Sequence, residues 1–280
     1  MKIKILSDST CDLPAQLVEK HNIDLLPLSV IKDGERFIDG ITITPAEIFK
    51  HVANGGSLCT TAARNMEDYR QVFTRYTKEY DGIVCINIGS NFSSCYQNAC
   101  LAASEFDNIV CVDSMNLSTG QGLITMKAVQ LSETCTDLQQ LKAELEEFAS
   151  HVEMSFLLNR LDYMVKGGRC SSATALGANL LHLRPCIEVK DGKMAVVKKY
   201  RGAYDKCLKN YAMDRLAGRE DLRRDLMFLT WTEVDDKCLS TVRDIVAEHG
   251  HFDQVVEGLA GCTVSCHCGP DTLGLAFARK

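Results

Sequence analysis

No stretch of this 280-residue chain approaches the run of roughly 18 apolar residues that a membrane-spanning helix needs. The start, Met1-Lys2-Ile3-Lys4-Ile5-Leu6-Ser7-Asp8, turns polar too soon for a signal peptide, so a cytoplasmic protein is expected. Basic charge is also short. Lys and Arg number 31 against 37 Asp and Glu, a formal net charge of -6, and no basic stripe stands out to neutralise a phosphate backbone. Nucleic acid is therefore not an expected partner. A Gly-x-x-x-x-Gly-Lys phosphate cradle is missing, as is a Gly-x-Ser-x-Gly elbow. Gly120-Gln121-Gly122 lacks the third glycine of a dinucleotide fingerprint and lies too far past its strand.

Paired Cys-x-x-Cys knuckles are missing too, although cysteine itself is abundant at 14 residues. Scattered positions such as Cys85, Cys100, Cys111 and Cys207 read as reduced thiols used as small apolar side chains. The tight cluster Cys262, Cys266, His267 and Cys268 reads as part of an extended strand. Adjacent residues there point to opposite faces and do not converge on one ion, so no metal is expected.

What is present is an ordinary globular composition, 46% hydrophobic and 24% charged, in a chain long enough for two domains. The first half alternates strand and helix signals. Lys2 to Leu6 alternates as a strand, Asp12 to Asn22 carries a capping Asp and an early Pro14, and Leu25 to Ile31 reads as one strand. Thr44-Pro45-Ala46-Glu47 is a capping box, Asn65 caps a further helix, and Ile83 to Ile88 and Ile109 to Val112 are buried-strand runs. This order predicts an α/β domain over 1–150 with a mostly parallel sheet covered by helices on both faces. A hairpin about Asp191-Gly192 and strands at Leu226 to Thr232 and Val255 to Leu259 predict a second α/β domain over 151–280 with a mixed sheet.

Ligands of open parallel sheets gather beyond the carboxyl ends of the strands. Three loops fall there, Ser7 to Thr10, Gly89 to Ser94 and Asp113 to Gly120, and all are rich in hydroxyls without Lys or Arg. Such helix starts suit a single carboxylate, and Ser93 is placed for one, although from position alone the commoner role of Ser93 or Ser94 is to cap the following helix.

Five segments, in order, resemble the DegV family. They are Ser7-Asp8-Ser9-Thr10-Cys11-Asp12-Leu13, Cys59-Thr60-Thr61-Ala62-Ala63, Ser90 to Gln97, Tyr163 to Arg169, and Ser265-Cys266-His267-Cys268-Gly269-Pro270. The resemblance implies similarity to the fatty-acid-binding subunit of bacterial fatty acid kinases, with one long-chain acyl group in a tunnel between two domains. It further implies that Thr60 and Ser93, with Ser94 beside it, hold the carboxylate. His267 and Arg201 would complete the polar head, and Arg169 would be an outer-surface residue meeting the kinase. The chain would then be a carrier without catalysis or cofactor, its ligand phosphorylated by a separate ATP-binding subunit. Ala62-Ala63 replaces the family's Gln-Pro, Ser94-Cys95 its Gly-Thr, and Asp271 its final glycine, which leaves chain-length preference open. The rival reading is a serine hydrolase of acyl esters, with Ser93 attacking, His267 as base and Asp8 or Asp113 orienting it.

Overall fold

The structure is a computed structural model that describes residues 1–175 and 183–280. Strand β1 (Ile3–Asp8) leads through a single 3₁₀ turn, Ser9–Cys11, to α1 (Ala15–Lys20) and β2 (Asp24–Leu26). Next come β3 (Ser29–Lys32), β4 (Glu35–Ile38), α2 (Pro45–Ala53), β5 (Thr60–Ala62), α3 (Met66–Tyr76) and β6 (Gly82–Asn87). The first half closes with α4 (Cys95–Ala103), β7 (Ile109–Asp113), α5 (Ser118–Ser132) and α6 (Leu138–His151). Its sheet is parallel, in the order β2-β1-β6-β7, and β3, β4 and β5 form a small separate antiparallel sheet. Pro27 splits the expected strand over Leu25 to Ile31, so that β2 joins one sheet and β3 the other.

The second half runs β8 (Val152–Leu158), α7 (Asp162–Gly167), α8 (Ser171–Thr174), β9 (Leu183–Lys190), β10 (Lys193–Arg201) and α9 (Tyr204–Leu216). It continues with β11 (Leu222–Trp231), α10 (Asp236–Ile245), β12 (Gln254–Leu259), α11 (Cys262–Cys268) and β13 (Thr272–Arg279). Its six strands form a mixed sheet ordered β10-β9-β8-β13-β11-β12, in which β11 and β12 are the parallel pair. The Asp191-Gly192 hairpin and the α/β architecture of both halves agree with the sequence reading. Among the described residues no helix is long and apolar enough to cross a membrane.

Local side-chain caps open some of the helices. Thr44 and Glu47 exchange both bonds of the capping box, and Asn65 Oδ1 accepts from Asp68 N at 2.9 Å to open α3. Asp12, expected to cap α1, does not, and sits in the left-handed region at φ 49° with its carboxylate turned elsewhere. The largest departure is at Cys262–Cys268, which is a helix and not a strand. Its cysteines therefore divide by helical position: Cys262 and Cys266 pack in the same apolar cluster as Cys59, with Cys262 donating to Ile43 O at 3.1 Å, and Cys268 joins a different cluster. Among the described residues no group of three or more His, Cys, Asp or Glu is arranged to hold a metal ion.

Helix α5 joins the two halves, touching β1 and β6 of one sheet and β8, β11 and β13 of the other. Its small residues permit that approach. A Cβ on Gly122 would lie 2.9 Å from Cys11 O, and one on Gly120 would lie 3.0 Å from Met154 Cβ. Close packing thus accounts for Gly120-Gln121-Gly122. Gln121 is fully buried, its Nε2 donating to Ser7 Oγ and Asp8 Oδ1, both at 3.0 Å.

Candidate ligand cavity

A cavity of about 750 Å³, counting its open mouth, lies where the two halves meet. Leu28, Thr61, Ala63, Ile88, Phe92, Ser93, Ser94 and Leu117 line it from one half. Met164, Arg169, Met194, Thr263, Val264, His267 and Cys268 line it from the other. A second space of about 280 Å³, again counting its open mouth, shares Leu117, Val264 and Cys268 with the first and is also lined by Met154, Phe156 and Trp231. Hydroxyls around this second space are already engaged. Thr119 and Thr230 pair at 2.7 Å, Thr232 Oγ1 donates to Gly269 O at 2.9 Å, and Thr272 Oγ1 donates to Cys268 O at 3.0 Å.

Polar groups collect at the first cavity. Thr61 Oγ1 and His267 Nε2 are 2.9 Å apart. Strand parity selects Thr61 over Thr60, because Thr61 is the register partner of the fully buried Val30, and cross-strand partners share a face. Thr60 points to solvent and is not among the lining residues, which corrects the sequence assignment by one position. The alternation of a three-residue strand beside Val30 was the signal that could have found Thr61.

Burial, and secondarily the positive charge of Arg169, push the His267 pKa down to about 4, so the imidazole is neutral at neutral pH. Its Nδ1 is buried without a partner and faces Gly167, where an added Cβ would lie 2.2 Å away. Arg169 is exposed, yet it also lines the cavity, so it is not purely an outer-surface residue. It donates from Nη1 to Gly167 O at 2.6 Å and from Nε to Phe92 O at 3.4 Å.

Ser93 is half-buried, its Oγ donating to Cys95 Sγ at 3.2 Å and accepting from Cys95 N at 3.3 Å. Ser94 occupies the N-cap position of α4 but makes no side-chain cap bond. Both serines stand at the positive end of that helix, which favours an anion. Arg201 does not join them. It is exposed at the far end of β10, seven residues beyond the lining Met194, or roughly 20 Å along a strand.

Among the described residues the first cavity's lining has one cation, no acid, a neutral imidazole and four hydroxyls, of which Thr263 already donates to Asp39, and the second space adds mainly aliphatic, thioether and aromatic groups. The hydrolase arrangement is not assembled. His267 Nε2 is bonded to Thr61, Asp8 accepts from Ile88 N at 2.8 Å and from Gln121, and Asp113 accepts from Ser90 N at 3.1 Å and Met115 N at 2.9 Å.

Fold and site together define an α/β protein with two main sheets and a smaller third, and a mostly apolar, hydroxyl-bearing open cavity where its halves meet. Residues 2–280 match the model of the DegV family, and the chain belongs to that family. A DegV domain-containing protein of Clostridium acetobutylicum is 32% identical over 281 residues, covering 100% of this chain and 99% of the relative. The solved structure of a DegV family protein from Thermus thermophilus, described as fatty-acid binding, superposes with a TM-score of 0.87 at 28% identity, covering 99% of this chain and 100% of that one. A stearic-acid-binding protein from Eubacterium ventriosum superposes with a TM-score of 0.84 at 25% identity, covering 99% of this chain and 98% of that one.

Proposed function

We propose that this chain binds one long-chain fatty acid between an N-terminal domain, 1–150, and a C-terminal domain, 151–280, as a carrier in the cytoplasm. The carrying observation is the gathering of Thr61, Ser93, Ser94, Arg169 and His267 around the first cavity, which shares Leu117, Val264 and Cys268 with the space lined by Met154, Phe156 and Trp231. The relatives described as binding fatty acids support the reading. Burying an acyl chain is worth roughly 0.8 kcal/mol per methylene, so the tail supplies most of the affinity and the head sets direction. A carboxylate at the head accepts from Thr61 and Ser93 while Thr61 Oγ1 accepts from neutral His267 Nε2–H, an orientation that leaves the threonine proton for the ligand.

The head lies beside the mouth, where Arg169 is exposed. We read this as presentation of the carboxylate to a separate fatty acid kinase subunit, which would form the acyl phosphate with its own ATP. The test is to denature purified protein and identify the released lipid by mass spectrometry. About one equivalent of a long-chain fatty acid is expected. Preparations repeatedly free of lipid that also take up neither oleate nor palmitate would sink the reading.

A further inference from the structure

Helix α11 carries His267 in its last turn, yet its first turn is held from the other half of the chain. Gly261 N donates to Asp12 Oδ1 at 2.8 Å, Cys262 N to Asp39 Oδ1 at 2.9 Å, and Thr263 N to Asp39 Oδ2 at 3.2 Å. Thr263 Oγ1 and Ser9 Oγ also donate to Asp39 Oδ2, at 2.7 and 2.9 Å. The three N–H groups have no acceptors inside the helix, and a seven-residue helix has too few internal bonds to hold its own direction.

We propose that Asp39 is a positioning residue for the carboxylate head: it fixes the axis of α11 and thereby the reach of His267 to Thr61. The helix rises about 7.5 Å from Cys262 to His267, so a tilt of about 10° at the grip moves the ring by about 1 Å. A hydrogen bond of 2.9 Å does not survive that displacement. Gly167 closes the other side of the ring, which has no room to compensate toward α7. Asp39 is itself well anchored, 5% exposed, with its N–H donating to Leu28 O at 3.0 Å. Ser9 Oγ accepts from Leu28 N at 3.1 Å, so the same grip also fastens Leu28, a wall of the cavity.

Only the binding arm of the test rests on the proposed function. Asp39→Asn keeps the side-chain shape but turns one acceptor into a donor against donors, and Asp39→Ala removes both acceptors. The first readout is the titration of the His267 ring by NMR, assigned with His267→Gln. Its midpoint, held at about 4 in the parent, rises by at least one unit in Asp39→Asn, because a loosened α11 lets water reach the ring. The second compares palmitate with hexadecanol. Palmitate binding weakens tenfold or more in both variants, while hexadecanol binding changes less than twofold. An unchanged His267 midpoint in folded Asp39→Asn overturns the proposal whatever the lipid result, as does equal loss of acid and alcohol. If the parent binds neither lipid, the proposed function falls while the His267 titration still decides the role of Asp39.

Discussion

The two ends of the cavity are built from opposite materials. Its head carries hydroxyls, a neutral imidazole and one exposed guanidinium, whereas the second space toward Trp231 is walled by Met154, Phe156 and Leu117, with its hydroxyls bonded elsewhere. A carboxylate needs a few directed donors, and an alkyl chain needs only dry volume. Under the proposed function, selectivity would fall to the first space and affinity to the second, and the two can be perturbed separately.

The tail end should give the larger effect. Val264 lines both spaces, and Val264→Trp should fill the region they share. Excluding about four methylenes costs ~3 kcal/mol at 0.8 kcal/mol each, or about a hundredfold in affinity for stearate. Octanoate, too short to pass, should change by less than about threefold. Equal losses for both acids, measured by calorimetry, would show that the second space does not take the tail.

The head should respond next, and selectively. Thr61→Val removes a hydroxyl at nearly constant shape, and a hydrogen bond to a charged group is worth roughly 1.5 to 3 kcal/mol. Palmitate affinity should fall about ten- to a hundredfold, while hexadecanol affinity stays within a few-fold. Thr60→Val, one residue away on the solvent face, should change neither. The reverse outcome would restore the assignment that strand parity overturned.

Legibility in the sequence followed how local the determinants were. Thr44, Asn65 and Asp191-Gly192 fix their elements through neighbours a few residues away, and the sequence patterns located them. Helix α5 is buried on nearly every side for most of its length, so it carries no apolar stripe to read, and its start was assigned to a loop. Helix α11, Cys-Thr-Val-Ser-Cys-His-Cys, is poor in strong helix formers and depends on acceptors more than two hundred residues distant, Asp12 and Asp39. That remoteness hid the helix and with it the approach of His267 to Thr61. Ser93, Ser94, Arg169 and His267 fall in segments that the family resemblance marked, and all four line the first cavity. Arg201 lies in none of those segments and was implied only by the resemblance as a whole, and β10 leads it away from the cavity.

The smallest effect expected concerns charge at the head. Burial is the first cause of the low His267 pKa, and Arg169 the second. Arg169→Ala should therefore raise the midpoint from about 4 only slightly, leaving it well below the ordinary 6.5. The sign for stability follows from linkage. Between about pH 4 and 6.5 the unfolded chain protonates this histidine and the folded one does not, so the His267 contribution destabilises the fold at acid pH and is relieved as pH rises to 6.5. Arg169→Ala should leave this acid limb of the thermal melting profile nearly intact, whereas His267→Gln should remove it. Because the guanidinium is exposed and screened, its loss should weaken palmitate by only about two- to fivefold, in line with roughly 0.2 to 1 kcal/mol for an exposed ion pair. Arg201→Ala, remote on β10, should alter neither quantity. A loss of palmitate binding on Arg169→Ala as large as that on Thr61→Val would mean that the head selects by charge instead of by hydroxyls held in place by a neutral imidazole.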